Sequence, residues 1–372
     1  MAKNTEAFQG TNQNAGVKNL FSSSLEALRT LPKTVSVSAF MSPKLAGWNR
    51  LLPERWNEIL NLQHIKAYVV DDTVIMSGAN LSHDYFTNRQ DRAWVIRNCA
   101  KLADFYQQLI SVISKLCYQV DSSGSLIARD NDSRLAHQTI NQFFTEQSRE
   151  HRQFEGKDAV LVPVLQMGLF NVHYESELLQ KLFDHFNRVS NDAFSIDLCS
   201  GYFNPSPQFE SMILQVGIAE RCKAMTVVVA APEANGFLGS KGFSGFLPSL
   251  YRESLLRFSQ SSASLGPKVQ LLEYQQPAWT FHAKGLWIRS PQLTVASIGS
   301  SNFNVRSEQR DLESQLYLFT SNRQLQHRVA TELELIKSPT FCKQIDTTML
   351  RESEHRASHI LKMLFPLIRN LL

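Results

Sequence analysis

One short pattern occurs twice in this chain, in two widely separated stretches. The first copy consists of His64-Ile65-Lys66, Ser77-Gly78-Ala79-Asn80 and Asp91. The second copy consists of His282-Ala283-Lys284, Gly299-Ser300-Ser301-Asn302 and Glu313. The histidine and the lysine of the second copy follow their counterparts in the first copy by the same number of residues. The asparagine and the acid follow their counterparts by a slightly larger number, and the turn signal Ser290-Pro291-Gln292 explains the difference. A single His-x-Lys segment often arises by chance, but this repeated spacing predicts two similar halves.

Each copy can present its polar side chains to one place. A histidine and a lysine two residues apart on a strand project from the same face. Asp71-Asp72 then predicts a turn, and Val74-Ile75-Met76 predicts a returning strand, with the asparagine just beyond it. Two copies that face each other would therefore form one site with two imidazoles, two ammonium groups and two amides.

Such a site suits a phosphodiester. One imidazole can attack phosphorus while the other protonates the leaving oxygen. Ammonium and amide groups can hold the non-bridging oxygens in the transition state, and an acid can orient each imidazole through its second nitrogen. The candidate catalytic residues are His64, Lys66, His282 and Lys284. The candidate phosphate ligands are Ser77, Asn80, Ser300 and Asn302, and the candidate orienting acids are Asp91 and Glu313.

Length and composition disfavour several other classes of protein. With 372 residues, the chain has room for two or three domains and a large core. A net charge of only +4 weakens the case for electrostatic nucleic-acid binding, so no nucleic-acid partner is expected. The five cysteines are widely spaced without a CxxC, which argues against a disulfide scaffold or a cysteine zinc site. The sequence also contains neither an obvious metal-ligand cluster nor a transmembrane run, so we predict no metal, no cofactor and no membrane span.

Strand and helix patterns alternate along most of the chain. Strands are predicted over 63–70, 92–97, 160–165, 194–198, 225–230, 269–272, 280–288, 293–298 and 315–319. Helices are predicted over 19–30, 100–117, 133–154, 175–187, 207–216, 247–259 and 321–337, with a loop over 121–132. This alternation predicts an α/β sandwich with a mixed sheet. We predict a disordered leader over 1–18, a first half over 19–155 and a second half over 156–372.

The double pattern resembles the phospholipase D superfamily, whose motif is HxKxxxxD followed by GSxN. By that resemblance Asp71 becomes a further catalytic candidate, whereas Arg289 occupies the corresponding place in the second copy. Other stretches narrow the resemblance to the eukaryotic-type CDP-diacylglycerol–glycerol-3-phosphate 3-phosphatidyltransferases (phosphatidylglycerophosphate synthases), in which a missing second Asp is usual. These stretches are residues 52–58, 77–82, 85–92, 201–204, 232–237 and 282–287.

The resemblance implies a fold, a reaction and a location. The expected fold is two phospholipase D-like α/β/α sandwich halves with mixed sheets, packed as a pseudo-dimer. The expected reaction transfers the phosphatidyl group from CDP-diacylglycerol to sn-glycerol-3-phosphate through a phosphohistidine, for phosphatidylglycerol and cardiolipin synthesis. By analogy with the superfamily, His64 is the expected nucleophile and His282 the acid that releases CMP, although the sequence alone does not order them. The family implies a peripheral position on the mitochondrial inner membrane.

Two alternatives stay open, one because the same chemistry can use a different acceptor and one because the repeats are unequal in length. The stretch from Ala159 to His282 is much longer than the whole stretch that precedes His64. We therefore expect the first half to lack its opening strand–helix–strand unit. The alternatives are a phospholipase D-type phosphodiesterase that uses water, and a catalytically inactive homologue that acts as a scaffold.

Two apolar segments bear on membrane contact. Glycines recur at every third position from Gly236 to Gly245 among phenylalanines, which is typical of either a flexible loop or an apolar flap that touches a membrane. Residues 358–372 are apolar with two cations and suit either a membrane interface or a core helix. In both cases Pro366 predicts an interruption.

Overall fold

The computed structural model describes residues 32, 34–40, 62–121, 126–127, 133–150 and 156–372. The predicted leader over 1–18, the helix predicted over 19–30 and the family-like stretch 52–58 lie outside the described residues. Most of the loop predicted over 121–132 lies outside them as well. The boundary between the halves near residue 155 stays a prediction.

The described residues form the alternating pattern of strands and helices that the sequence predicts. The strands are β1 (Val37–Ala39), β2 (Ala67–Val70), β3 (Thr73–Ser77), β4 (Arg89–Gln90), β5 (Ala93–Ile96), β6 (Tyr118–Val120), β7 (Leu126–Ile127), β8 (Ala159–Met167), β9 (Val172–His173), β10 (Phe194–Ser200), β11 (Cys222–Ala230), β12 (Val269–Tyr274), β13 (Thr280–Phe281), β14 (Gly285–Arg289), β15 (Thr294–Gly299), β16 (Glu313–Thr320) and β17 (Cys342–Ile345). The helices are α1 (Ala100–Lys115), α2 (Ser133–Glu150), α3 (Tyr174–Asp184), α4 (Pro207–Ile218), α5 (Leu247–Ser261), α6 (Val305–Gln309), α7 (Arg323–Ile336), α8 (Thr347–Glu352) and α9 (His359–Ile368).

A nine-stranded sheet is formed by strands between residues 159 and 345, in the order β17-β12-β11-β10-β14-β15-β16-β8-β9. Strands β10, β11 and β12 run parallel, and the other neighbours are antiparallel. Successive residues of a strand point to opposite faces of the sheet. Leu286 packs with α3, α4 and α5 on one face, and Trp287 packs with α7 on the other. The predicted α/β fold with a mixed sheet is therefore confirmed.

The hairpins of the two repeats share one register. Val74 pairs with Ile96 in the first repeat, and Ala296 pairs with Leu318 in the second. Each member of the second pair follows its counterpart by the same offset that separates Asn80 from Asn302. The residue pairs between β2 and β3 likewise correspond to the residue pairs between β14 and β15. The first-repeat sheet has the order β2-β3-β5, and within the described residues no strand stands beside β5 as β8 stands beside β16.

The two His-x-Lys segments lie immediately before strands rather than within them. Strand β2 begins at Ala67, and the predicted strand over 280–288 is divided between β13 and β14. The cause is pairing with the opposite repeat, since the His64 N–H donates to the Leu312 carbonyl at 2.9 Å and the His282 N–H donates to the Gln90 carbonyl at 2.8 Å. The histidine and the lysine of each segment therefore do not lie on one continuous strand, which differs from the sequence prediction.

Two short parallel pairings connect the repeats. Gln63 forms a bridge with Leu312, and Phe281 in β13 pairs with Gln90 in β4. The second pairing is the repeat equivalent of the first, because Gln63 and Phe281 directly precede the two histidines while Gln90 and Leu312 directly precede the two acids. These pairings therefore place each histidine beside the acid of the other repeat.

Helix α9 continues through Pro366, so the predicted interruption is wrong. The helix begins with a cap, in which the Ser358 hydroxyl accepts the Leu361 N–H at 3.3 Å. Phe365 is 1% exposed and packs with Leu250 of α5. This packing offsets the hydrogen bond that the proline cannot donate.

Candidate active site

His64 and Glu313 form a pair between the two repeats. Nδ1 of His64 lies 3.1 Å from both carboxylate oxygens of Glu313. The Glu313 side chain is fully buried, whereas the His64 side chain is 16% exposed. Since the carboxylate holds Nδ1, Nε2 is the ring nitrogen left for chemistry.

His282 and Asp91 form the matching pair. Nδ1 of His282 lies 2.6 Å from Oδ2 of Asp91, and both side chains are 4% exposed. Nζ of Lys284 lies 2.8 Å from the same nitrogen. One ring nitrogen cannot donate to a carboxylate and accept from an ammonium group at once, so we assign its proton to the bond with Asp91. The Tyr85 hydroxyl then faces Nε2 at 3.4 Å.

The lysines join these two pairs. Nζ of Lys66 donates to the His64 carbonyl at 2.7 Å, and Nζ of Lys284 donates to the His282 carbonyl at 3.1 Å. Lys284 is 1% exposed, and its ammonium group interacts electrostatically with both Asp91 and Glu313. Within the described residues, this buried ammonium group links the two histidine–acid pairs.

Burial and charge act against each other in this cluster. Burial favours the neutral acids, but Lys284 and His282 hold the pKa of Asp91 below its usual value. Glu313 is likewise buried, and His64 and Lys66 keep its pKa low. Burial, followed by Lys284, lowers the pKa of His282 to about 3 despite Asp91. His282 is therefore neutral at physiological pH before an anionic substrate arrives.

The four candidate phosphate ligands have different surroundings. The Ser77 hydroxyl donates to the Arg92 carbonyl at 2.7 Å, and Ser300 exchanges hydrogen bonds with the backbone of Ser314. Nδ2 of Asn80 lies 3.4 Å from the Tyr85 hydroxyl. Oδ1 of Asn302 is buried without a hydrogen-bond partner. The serine hydroxyls thus bind the backbone of the neighbouring strand segment in their own repeat, and the asparagines retain more capacity for a ligand.

Asp71 lies outside this cluster. It is exposed at the β2–β3 turn with φ of 52°, a left-handed conformation that aspartate tolerates. Its repeat equivalent Arg289 is at the same end of the β14–β15 hairpin and contacts Asp197 at 3.1 Å. Because neither residue reaches the histidines, the change from Asp to Arg between the repeats leaves the cluster intact.

An aromatic group covers His282 and was not singled out from the sequence as part of the site. The rings of Tyr85 and Tyr202 lie 5.0 and 5.5 Å from the His282 ring. The guanidinium of Arg89 lies 4.5 Å from the centre of the Tyr85 ring. Burial raises the pKa of Tyr85, so its hydroxyl stays protonated. The stretches 85–92 and 201–204 held the signal, but only the fold brings them to His282.

Arg92 is a second residue that sequence reasoning missed. Its guanidinium donates to the carbonyls of Lys284 and Ser297, both at 2.8 Å, and forms two bonds with Glu332 at 2.9 and 3.0 Å. A Cβ at Gly285 would collide with this guanidinium, so only glycine fits after the second His-x-Lys segment. Arg92 therefore fixes the backbone that carries Lys284.

Glu175 is a buried acid next to this site. Burial raises its pKa to about 7, and the Tyr317 hydroxyl donates to Oε1 at 3.0 Å. A raised folded-state pKa means that the folded protein retains a proton that the unfolded chain loses, so stability falls as pH rises from about 4.5 to 7.

We therefore expect Glu175→Gln to be more stable than the wild type above pH 7. The gain is about 1–3 kcal/mol, because the amide keeps the acceptor and removes the charge. Urea unfolding at pH 5 and pH 8 measures it. Glu177→Gln, a change on the same helix at a more exposed carboxylate, should leave the pH dependence unchanged. Equal pH dependence in Glu175→Gln and the wild type would contradict the assignment.

This arrangement provides two oriented imidazoles with a buried cation between them, which suits attack on a phosphodiester and protonation of its leaving group. Within the part of the chain that the structure describes, no group of three or more histidine, cysteine or acidic side chains is placed to hold a metal ion.

Paired His-x-Lys segments on a repeated hairpin, beside a mixed sheet, define a protein of the phospholipase D class. The crystal structure of phosphatidylserine synthase from Haemophilus influenzae is similar in fold, with a TM-score of 0.64 over 85% of this chain and 72% of that one, at 19% sequence identity.

Sequence comparison gives the family. The human mitochondrial CDP-diacylglycerol–glycerol-3-phosphate 3-phosphatidyltransferase is 32% identical over 402 aligned positions, which cover 97% of this chain and 70% of the human protein. The Saccharomyces cerevisiae enzyme of that name is 32% identical over 81% of this chain and 64% of its own length. No protein-family model matches this chain. The chain belongs to the CDP-diacylglycerol–glycerol-3-phosphate 3-phosphatidyltransferase family.

Proposed function

We propose that this protein transfers the phosphatidyl group of CDP-diacylglycerol to the hydroxyl of sn-glycerol-3-phosphate, giving phosphatidylglycerophosphate and CMP. The observation that carries the proposal is the crossed pairing of His64 with Glu313 and of His282 with Asp91. It orients two imidazoles within one site, and relatives that share the sequence over most of its length are named for this reaction.

In the first step, Nε2 of His64 attacks the phosphorus that bears diacylglycerol. A P–N bond forms, the bond from that phosphorus to the bridging oxygen breaks, and CMP leaves with a proton from His282. We assign attack to His64 because it is the more exposed of the two rings. His282 becomes an acid only when the bound diphosphate supplies negative charge that raises its pKa.

In the second step, the hydroxyl of glycerol-3-phosphate attacks the same phosphorus. The P–N bond breaks, and the hydroxyl proton returns to His282, which regenerates both rings. Lys66 and Lys284 stabilise the charge on the non-bridging oxygens, and the amides of Asn80 and Asn302 contribute further hydrogen bonds. Asp91 and Glu313 are positioning residues that hold the two rings.

One assay distinguishes this transfer from the alternatives. The protein is mixed with CDP-diacylglycerol, with and without glycerol-3-phosphate, and CMP release is followed. Turnover that depends on glycerol-3-phosphate supports the transferase. Equal release without the acceptor would point to a phosphodiesterase that uses water. No release from correctly folded protein would point to an inactive scaffold.

We further propose that the protein acts as a peripheral protein of the mitochondrial inner membrane, as the names of its relatives suggest for the mitochondrion. A lipid-facing surface formed by α9 and the glycine-containing loop supports membrane contact. Its exposed apolar residues are Leu238, Phe246, Ile360, Met363, Leu364 and Leu367. The last four follow the i, i+3, i+4, i+7 spacing of one helix face. Among the described helices, none is long and apolar enough to cross a bilayer.

This lipid-facing surface is continuous with the active site. Phe243, Leu247 and Leu361 of α9 pack against one apolar cluster around Phe365. The ring of Phe237, at the start of the same loop, lies 5.3 Å from the Tyr202 ring. Tyr202 in turn contacts His282. A protein seated on this surface would therefore present its reactive histidine toward the headgroup region.

We expect the double variant Met363→Ser, Leu367→Ser to lose at least about tenfold in affinity for phosphatidylglycerol vesicles, since both side chains are more than 70% exposed and would insert into the lipid. Flotation with vesicles measures it. The control Val189→Ser, Leu335→Ser changes two comparably exposed apolar residues elsewhere. If both double variants float like the wild type, α9 does not contact the membrane.

A further inference from the structure

The two repeats contain the same ion pair with its charges reversed. In the first repeat Asp84 pairs with Arg89, and in the second repeat Arg306 pairs with Asp311. The members of the second pair follow those of the first by the same number of residues that separates the two orienting acids. An arginine therefore stands two residues before the orienting acid of the first repeat, where the second repeat has an aspartate.

These two ion pairs differ in how completely their members are bound. The Asp311 carboxylate is 5% exposed, lies 2.8 Å from Nε of Arg306 and accepts the Leu62 N–H at 2.8 Å. Nη2 of Arg89 lies 3.8 Å from Oδ2 of Asp84, and the Asp84 side chain is 61% exposed. An exposed ion pair at this distance contributes little. Among the described residues Asp84 is the acid that pairs with Arg89, so the guanidinium retains the capacity to bind another anion.

Arg89 lies near His282 because of the pairing between the repeats. It pairs with Thr280 of β13, and its Nε donates to the Thr280 hydroxyl at 2.8 Å. The guanidinium lies 4.5 Å from the centre of the Tyr85 ring, which in turn lies 5.0 Å from the His282 ring. Burial and Lys284 lower the pKa of His282, and the positive charge of Arg89 lowers it further. One aromatic ring therefore separates this cation from the reactive histidine.

A second donor group lies beside the guanidinium. A Cβ at Gly236 would be 3.4 Å from Nη2 of Arg89 and 3.3 Å from the Tyr202 hydroxyl. Both donors thus face one point next to the backbone of the glycine-containing loop, and the Arg89 side chain is 18% exposed. Guanidinium and hydroxyl groups suit phosphate oxygens, and an arginine can hold two of these oxygens at once.

We propose that Arg89 binds the phosphate group of the acceptor, sn-glycerol-3-phosphate, in the second step of the reaction. The assignment rests on the proposed function, because it takes the attacking hydroxyl of the same acceptor to lie next to His282. That hydroxyl and the phosphate stand at opposite ends of a three-carbon chain, which is comparable in length to the aromatic ring between His282 and Arg89. The guanidinium donates to two phosphate oxygens and thereby selects an anionic acceptor.

The phosphate of the departing CMP is the other phosphate at this end of the site. Its phosphorus is bonded directly to the oxygen that His282 protonates, so it lies next to the imidazole rather than one ring away. Nζ of Lys284 lies 2.8 Å from the His282 ring and is the cation nearer to that phosphate. Arg89 therefore matches the more distant phosphate, which belongs to the acceptor.

Arg89→Gln tests the assignment by removing the charge while keeping an amide donor. Transfer is measured at saturating CDP-diacylglycerol with two acceptors, glycerol-3-phosphate and glycerol, because glycerol has the hydroxyls but no phosphate. We expect kcat/KM for glycerol-3-phosphate to fall at least about tenfold, the loss typical of a hydrogen bond to a charged group. The value for glycerol and the rate of phosphohistidine formation from CDP-diacylglycerol alone should both stay at the wild-type level.

Two further variants separate phosphate binding from a structural role. Arg188→Gln is the matched control, because the exposed Arg188 also lies 3.8 Å from an aspartate, Asp184, and it should behave like the wild type. Asp84→Asn removes the acid that competes for Arg89, so KM for glycerol-3-phosphate should fall or stay equal. If the ion pair served only the fold, Asp84→Asn and Arg89→Gln would be equally harmful. Circular dichroism verifies that each variant is folded.

Two outcomes would overturn the proposal. The first is an unchanged kcat/KM for glycerol-3-phosphate in folded Arg89→Gln. The second is an equal loss with both acceptors or a slower formation of the phosphohistidine, which would assign Arg89 to the nucleotide phosphate or to the fold.

Failure of the proposed function would be seen separately, as a wild-type protein that transfers to neither acceptor. Calorimetric titration of the resting protein with glycerol-3-phosphate then decides the role of Arg89. Binding that Arg89→Gln weakens at least about tenfold would support the phosphate subsite, and equal binding by the wild type and the variant would refute it.

Discussion

His64→Asn and His282→Asn each lower the rate of CMP release by about a thousandfold or more, because each removes an Nε2 that makes, breaks or protonates a bond at phosphorus. The asparagine amide can still donate to the paired acid, so Glu313 or Asp91 does not become a buried, unpaired charge. Steady-state CMP release with both substrates measures the effect, and thermal unfolding verifies that the fold is kept. The exposed His327→Asn is the matched control and should retain full activity.

The same variants order the two histidines. If His64 is the nucleophile, protein incubated with CDP-diacylglycerol alone carries the phosphatidyl group on His64, as mass spectrometry of its peptides would locate it. The label should be absent from His64→Asn and should form slowly on His282→Asn. A label on His282 would reverse the two roles. Wild-type turnover in both variants would contradict the whole site.

Arg92→Ala lowers the free energy of unfolding by about 3–5 kcal/mol, because it leaves buried polar groups without their partner. The guanidinium is 2% exposed, binds Glu332 through two nitrogens and lies 4.3 Å from the centre of the Trp287 ring. Arg92→Lys should recover only part of the loss, since an ammonium group cannot reproduce the planar fork. Urea unfolding measures both variants.

Substitution of Glu332, the acid of this ion pair, separates the effect of the ion pair from that of the hydrogen bonds that Arg92 donates to two carbonyls. Glu332 is 27% exposed, so Glu332→Gln should cost less than Arg92→Ala. Arg92→Ala should also lower the rate of CMP release in the folded fraction, because the backbone of Lys284 loses its anchor. A loss of stability below about 1 kcal/mol in Arg92→Ala would show that the Arg92 hydrogen bonds are dispensable.

The local pattern was sufficient to predict the hairpins and the mixed sheet. Alternation of apolar residues locates β2 and β3 around the Asp71 turn, and the structure confirms both strands. Chain spacing could not show which acid meets which histidine, since Asp91 follows His64 in sequence but contacts His282. That choice depends on the two parallel pairings between the repeats, which no periodicity encodes.

Other differences from the sequence predictions have tertiary causes as well. The strand over 280–288 divides because the His282 backbone bonds with Gln90 rather than continuing the ladder. Helix α9 passes Pro366 because Phe365 is anchored in the core. Tyr85 and Arg92 looked like ordinary residues of a loop and a strand, and only their neighbours in the fold connect them with the site.

The exchange of acids between the repeats has a consequence for how such a molecule changes during evolution. After a gene duplicates and its copies fuse, each copy normally becomes free to drift. Here the loss of Asp91 or Glu313 from one repeat would leave the histidine of the other repeat without its carboxylate, so the acids of the two repeats would not be free to change independently. Selection therefore acts on the duplicated unit as a whole, and separately expressed halves would regain an oriented histidine only by associating.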